Sequence, residues 1–320
     1  MIMPVRKALS VSDMLKRATL ELEGGSVINP QVETEMIISE KTGLSKTDLY
    51  LHAGRDLVSA EIEAIEETVR ERLTGRPIQY ILGHRQFRHL DILCREGVLI
   101  PRPETELLVD AVIDEFAGLD GDCVLDEAEY LDGDRTVDRP EVLDEYRSEY
   151  RTVVDIGCGT GAIGLSIAHE YTGAFVYMID KSPQAISIAT KNAMRNGLQN
   201  RIRIIESDMF DALGYLKGAV DIVVSNPPYI RRDDLAGLQR EVRFEPQMAL
   251  DGGIDGLDYY RAIAERAPAF LKSKGILLLE VGFDQSLPVM DLLEQTRLFT
   301  DIDSRKDYLG VERIVRARSI

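Results

Sequence analysis

The chain has 320 residues, 44% hydrophobic and 29% charged, proportions of an ordinary globular protein long enough for one large core and a smaller module. No run reaches the roughly eighteen apolar residues of a membrane span, and Met1-Ile2-Met3-Pro4-Val5-Arg6 lacks the apolar segment of a secretory signal, so a cytoplasmic address is expected, with no membrane partner. The formal net charge of −17 argues against a broad phosphate-gripping face. Residues 118–150 alone carry seven Asp and five Glu against three Arg, or −9 of that total, which leaves room for a local basic patch elsewhere.

From about Ser12 to Gly75 the apolar residues recur at helical spacing. Ser12 is placed to cap a helix with Met14, Leu15, Ala18 and Leu22 on one face. Val32, Met36 and Ile37 continue the pattern, and Ile62, Ile65, Val69 and Leu73 close it. A small helical bundle over residues 1–75 is expected. Residues 76–101 change character: Tyr80-Ile81-Leu82, Ile92 and Val98-Leu99-Ile100 look like strands separated by turns, as in a β-hairpin linker. Ile100-Pro101-Arg102-Pro103-Glu104-Thr105-Glu106 then reads as a helix start, with proline in the first turn and glutamates at the positive end; Arg102 is a candidate for flanking a pocket. The acidic stretch 118–150 reads as a solvated loop inserted in the larger domain, 102–320.

Short apolar runs alternate with helical segments from Arg151 onward: Thr152 to Ile156, Phe175 to Ile179, Ile202 to Ile205, Val220 to Val224 and Ile276 to Val281. Such alternation predicts a doubly wound, Rossmann-like parallel sheet. The first run enters Asp155-Ile156-Gly157-Cys158-Gly159-Thr160-Gly161, where Gly157, Gly159 and Gly161 begin directly at the strand end. Asp180 closes the second run, where a carboxylate can accept both hydroxyls of a ribose, and Asp208 follows the third, within reach of an adenine edge. The overlapping dinucleotide pattern Gly159 to Gly164 starts too far past its strand to fit its own mechanism. S-adenosylmethionine is therefore the expected cofactor. The three cysteines, Cys94, Cys123 and Cys158, are dispersed and expected to be reduced thiols, and neither they nor the four histidines suggest a metal site.

The fourth run ends in Ser225-Asn226-Pro227-Pro228-Tyr229. A conjugated nitrogen is a poor nucleophile, so a site that methylates one must hold its N–H₂ with acceptors and line it up with the methyl donor. The Asn226 carbonyl and the Pro227 backbone carbonyl are such acceptors, the prolines stiffen the backbone that carries them, and Tyr229 offers a flat face. An adenine-N6 DNA methyltransferase is one alternative, since such enzymes share this tetrapeptide; no basic recognition domain accompanies it here. A nucleotide-binding module without catalysis is another.

The chain resembles the HemK/PrmC family of release-factor glutamine methyltransferases over nearly its whole length. The resembling pieces are Gly75 to Ile81, Ile100 to Glu106, Asp155 to Gly161, Ser225 to Ile230, Arg243-Phe244-Glu245-Pro246 with Ala249-Leu250, and Asp307-Tyr308-Leu309-Gly310. The resemblance implies a class I S-adenosylmethionine-dependent methyltransferase domain, a helical N-terminal domain, a hairpin linker and a final antiparallel strand near Arg313 to Arg316. It implies methylation of N5 of the glutamine in the Gly-Gly-Gln motif of a peptide chain release factor; the acidic balance adds the expectation of no direct nucleic-acid binding. Cofactor contacts would come from Gly157, Cys158, Gly159, Thr160, Gly161, Asp180, Asp208, Met209 and Asn226, and glutamine contacts from Asn226, Pro227, Pro228 and Tyr229. Within the family, ribosomal-protein glutamine methyltransferases typically carry Ser-Pro after the arginine, so Pro103-Glu104-Thr105 favours the release-factor branch. Met209 departs from the aromatic residue that relatives often place beside the adenine.

Overall fold

The structure, a computed structural model, describes residues 9–119 and 150–320. Its residues divide into two compact units, Met1–His84 with Gln239–Phe244, and Arg85–Leu238 with Glu245–Ile320. The expected acidic loop, and Cys123 within it, lie outside the described residues, apart from the ends of that stretch.

The first unit contains α1 (Val11–Gly24), α2 (Pro30–Thr42), α3 (Lys46–Leu51), α4 (Ser59–Leu73) and α5 (Ile78–Leu82). Met14, Ala18, Leu22, Ile37, Ile38, Leu49, Ile65 and Val69 form its core. The α1 cap is Ser10 rather than Ser12: its Oγ accepts the Asp13 N–H at 3.1 Å, while Asp13 reaches back to Ser10. Val32, expected inside, is exposed, and α2 turns Thr34 and Glu35 inward instead. Glu35 tolerates burial because the Tyr50 hydroxyl donates to it at 2.5 Å and the Lys46 ammonium lies 2.7 Å away. Likewise the buried Arg72 guanidinium is satisfied by Glu33 at 2.5 Å and Glu241 at 2.9 Å. Tyr80, Ile81 and Leu82, expected as strand, form α5, which ends at Gly83 with φ 88°.

The second unit opens with the hairpin β1 (His84–Phe87) and β2 (Leu90–Leu93), whose first residue, His84, is the last of the helical unit. Val98 to Ile100, also expected as strand, are irregular. A seven-stranded sheet follows, built from β3 (Arg151–Ile156), β4 (Ala174–Asp180), β5 (Ile202–Glu206), β6 (Val220–Ser225), β7 (Leu271–Glu280), β8 (Phe299–Lys306) and β9 (Glu312–Ser319), in the order β5-β4-β3-β6-β7-β9-β8. Strands β3 to β7 are parallel, whereas β9 pairs antiparallel with both β7 and β8. The antiparallel strand holding Arg313 to Arg316 is thus interior, and the unforeseen β8 forms the edge.

Helices α6 (Glu106–Leu119), α7 (Ala162–Glu170), α8 (Pro183–Arg195), α9 (Asp258–Arg266) and α10 (Ser286–Thr296) complete this unit. Successive strand residues point to opposite faces, and both faces are buried. Val153, Met178, Ile222, Val224 and Leu278 belong to one core, while Val154, Ile156, Ile179, Val223 and Leu279 belong to the other. The chain proceeds outward from β3 through β4 to β5 and then returns to place β6 on the other side of β3. That reversal is where an open α/β sheet leaves a crevice at its carboxyl edge.

Candidate active site

Strand register sets the site. Ile156 of β3 pairs with Ile179 of β4 and with Ser225 of β6, and Ser225 pairs in turn with Leu279 of β7. The next residue on each strand therefore emerges at one level: Gly157, Asp180, Asn226 and Glu280. A cleft of about 1000 Å³, counting space open to solvent, lies over this edge. Gly157, Cys158, Gly159, Thr160, Asp180, Asp208, Met209, Asn226, Pro227 and Pro228 all line it.

The loop after β3 is held by backbone groups. Gly157 and Cys158 donate to the Ile179 carbonyl at 2.8 and 2.9 Å, and Asn192 of α8 donates to the Thr160 carbonyl at 2.9 Å. Gly157 has φ 72° and nothing within 4 Å of where a Cβ would stand, so its backbone faces free space in which a ligand can approach. Gly161 does not line the cleft; it caps α7, and a Cβ there would stand 2.5 Å from Met178 Cε, so its part is close packing. The Cys158 thiol is buried and pushed well above its ordinary range, which makes it an inert wall.

Two carboxylates support this loop. Asp155 Oδ2 accepts the Gly164 N–H at 3.0 Å, and burial pushes its pKa up to about 7 against that hydrogen bond. Asp180 accepts Gly159 N–H and Ser182 N–H at 2.9 Å each, one on either oxygen; burial raises its pKa, partly offset by those donors. Each oxygen retains a lone pair for a hydroxyl. Beyond Asp180, Met209 adopts φ 49° and shares the cleft wall with Tyr259 and Ile263.

On the other side, Asn226 Nδ2 donates to Thr105 Oγ1 at 3.1 Å. Its Oδ1 takes no part in the described hydrogen bonds and belongs to a residue on the cleft wall. Tyr229 is absent from the lining: its ring packs toward Gly282, where a Cβ would stand 3.4 Å from Cδ2, and burial pushes its hydroxyl up to about 12. The Tyr229 backbone is clamped. Gln285 Nε2 donates to its carbonyl at 2.9 Å, Ile230 donates to the Leu250 carbonyl and Gly252 donates to that of Ile230. A Cβ on Gly252 would meet Tyr229 Cα at 2.7 Å, so only glycine lets these backbones meet.

Arg102 does not line the cleft either. It pairs with the buried Glu245 at 2.6 Å, and Glu245 also accepts the Ile100 N–H at 3.1 Å. The pair holds the segment from which Gly97, Val98, Leu99 and Pro101 reach the cleft. Glu280 and Gln285 are site-building residues that the sequence reading passes over, while Thr105 and Glu245 stand in motifs it quotes without giving them a role in the site. The available signal was Glu280, the only charged residue in the run Ile276 to Val281. Among the described residues no cluster of three or more His, Cys, Asp or Glu is placed to hold a metal ion.

Two family models match the chain: the "Methyltransferase small domain" over residues 141–240 and the "PrmC N-terminal domain" over residues 13–83. The chain is 37% identical over 310 residues to the release factor glutamine methyltransferase of Agrobacterium fabrum, covering 97% of each. It is 34% identical over 305 residues to that of Moorella thermoacetica, covering 95% of this chain and 97% of the relative. Among solved structures, the hMettl16 catalytic domain in complex with MAT2A 3′UTR hairpin 6 superposes with a TM-score of 0.53 at 14% identity, over 78% of this chain and 81% of that one, a likeness of fold alone.

Proposed function

This chain belongs to the release factor glutamine methyltransferase family, and from that premise we propose that it methylates N5 of the glutamine in the Gly-Gly-Gln motif of a peptide chain release factor. The cofactor is S-adenosylmethionine. The cleft fits it: open backbone at Gly157, a two-oxygen acceptor at Asp180 and the apolar wall of Met209 and Ile263 match, in order, a polar tail, a ribose and an adenine. When bound, that group supplies a methyl carbon made electrophilic by its sulfonium.

One observation carries the acceptor side: the register that sets Asn226 level with Gly157 and Asp180 while Thr105 takes the Nδ2 end of its amide. Asn226 Oδ1 and the Pro227 carbonyl then accept the two N–H bonds of the glutamine amide and orient the nitrogen lone pair toward the methyl. Positive charge developing on that nitrogen during transfer would be stabilised by these same two acceptors. The nitrogen then sheds a proton to solvent, so no residue of the chain is required as a base. Orientation supplies the rate, and well-held reactants recover about 7–11 kcal/mol of barrier. Tyr229 serves by fixing the loop through its clamped backbone, since its ring faces the core.

The reading places the enzyme in the cytoplasm beside its protein substrate, with neither nucleic acid nor membrane as partner. No helix among the described residues is long and apolar enough to cross a membrane. Transfer of labelled methyl from S-adenosylmethionine, offered a release factor, a ribosomal protein and duplex DNA in parallel, tests the assignment. Label in the release factor alone is expected; label in either of the others and none in the release factor would refute it.

A further inference from the structure

Glu280 is a carboxylate buried at the carboxyl end of β7 that the methyl transfer above does not use. The Ser225–Leu279 pairing puts it beside Asn226, one residue on from the same rung. Asn226 Nδ2 donates to the oxygen of the buried Thr105 hydroxyl at 3.1 Å, and burial raises the Glu280 pKa while the Thr105 hydroxyl partly offsets that rise. The second Glu280 oxygen, Oε2, is buried with no hydrogen-bond partner among the described residues. A carboxylate so enclosed costs folding free energy, and nothing in the core demands it.

We propose that Glu280 and Thr105 are positioning residues, a two-member relay that fixes which end of the Asn226 amide faces the substrate. A hydroxyl has one proton. When Glu280 is ionised it can only accept, so Thr105 then donates to it and is left to accept from Asn226. That leaves Nδ2, not Oδ1, on the Thr105 side, and Oδ1 is turned to the glutamine as the acceptor the chemistry needs. With the direction reversed, Asn226 would present N–H donors to an N–H₂ group and repel it. Charged and titratable groups around Glu280 are Arg102, Glu104 and Arg313, with Tyr229 and Tyr260 beside it, and the Tyr260 hydroxyl donates to the Glu280 backbone carbonyl at 2.8 Å. None of these carries the proton direction to Asn226.

The inference rests on the proposed acceptor role of Asn226, so its test includes a readout that needs no substrate. In the full-length free protein, Glu280→Gln and Thr105→Val should each move the Asn226 side-chain amide resonances, identified by their loss in Asn226→Asp. Unmoved resonances would overturn the relay even if glutamine methylation fails altogether. With a release factor as acceptor, Thr105→Val should lower kcat by about 100-fold, with the calorimetric affinity for S-adenosylmethionine within about twofold of wild type, as expected of misorientation rather than lost binding. Thr105→Ser should recover most of that rate. A serine variant as slow as the valine one, or a valine variant at wild-type kcat, would overturn the inference. Because Thr105→Val and Thr105→Ser leave the Glu280 side chain in place, this pair decides the matter even if Glu280→Gln folds poorly.

Discussion

The two halves of the cleft are built differently. The glycine loop of the cofactor half is held by main chain: Gly157, Cys158, Gly159, Gly164 and Ser182 all act through backbone N–H groups, and the loop and the carboxylates that order it come from one continuous stretch between Asp155 and Ser182, with the Met209 and Ile263 side chains added as an apolar wall. The acceptor half is made from side chains gathered from far apart. Asn226 and Thr105 are 121 residues apart in sequence, and Glu280 comes from a third segment. A backbone cradle tolerates most side-chain changes and fails gradually, whereas a relay of single hydrogen bonds fails at any link.

The largest effect should come from breaking the acceptor half at its working end. Asn226→Ala is expected to reduce kcat by about 10²–10³-fold, the usual loss on removing one group that stabilises developing charge, with cofactor affinity by calorimetry nearly unchanged. A variant that loses both together would erase the distinction between the halves. Next, Asp180→Ala should weaken S-adenosylmethionine binding by roughly tenfold or more, as befits a charge-assisted hydrogen bond of about 1.5–3 kcal/mol, and lower kcat at saturating cofactor far less. Unchanged affinity would remove Asp180 from the ribose site. Gly252→Ala probes the support beneath Asn226-Pro227-Pro228-Tyr229: the 2.7 Å approach to Tyr229 Cα must open, so a thermal melt should fall and kcat should fall with it, while an unperturbed variant would show that the contact relaxes freely.

The last effect concerns stability, and its sign opposes that on activity. Burial pushes the Glu280 carboxyl from its ordinary 4.5 up to about 7. Between those values the folded chain binds more protons than the unfolded one, so stability falls as pH rises through the window and the loss is complete above it. Glu280→Gln should therefore stabilise the protein at pH 8, by roughly 3 kcal/mol at most from a shift of that size, and give no gain near pH 4. Denaturant titrations at the two pH values measure this directly. Asp155, likewise raised to about 7, keeps its own share of the pH dependence in that variant. A gain in stability joined to a loss in kcat marks a residue kept for function; a loss of both would make Glu280 a structural residue.

The same contrast explains what was legible in the sequence. Gly157, Asp180 and Asn226 stand immediately at or after apolar runs, so local pattern suffices to find them. Glu280 comes beside Asn226 only through the Ser225–Leu279 register, a fact of sheet order that no spacing along the chain encodes, and Thr105 joins them through the Asn226 amide. Strand β8 escapes for another reason: in Phe299–Lys306 only Phe299 is buried, because an edge strand has little apolar face to show. Tyr80-Ile81-Leu82 has strand-like composition, yet Pro77 and Gly83 bracket a single helical turn and a half there. Tyr229 follows the same strand end as Asn226, but the direction of its ring is set by Gly282 and the core behind it.

If Asn226 holds a release-factor glutamine for methylation, mass spectrometry of the substrate will show it. A release factor incubated with S-adenosylmethionine and the wild-type chain should gain one methyl group on the glutamine of its Gly-Gly-Gln motif, and the Asn226→Ala chain, loaded with the same cofactor, should leave that residue almost unmodified. A methyl group found elsewhere, or equal modification by both chains, would contradict the account.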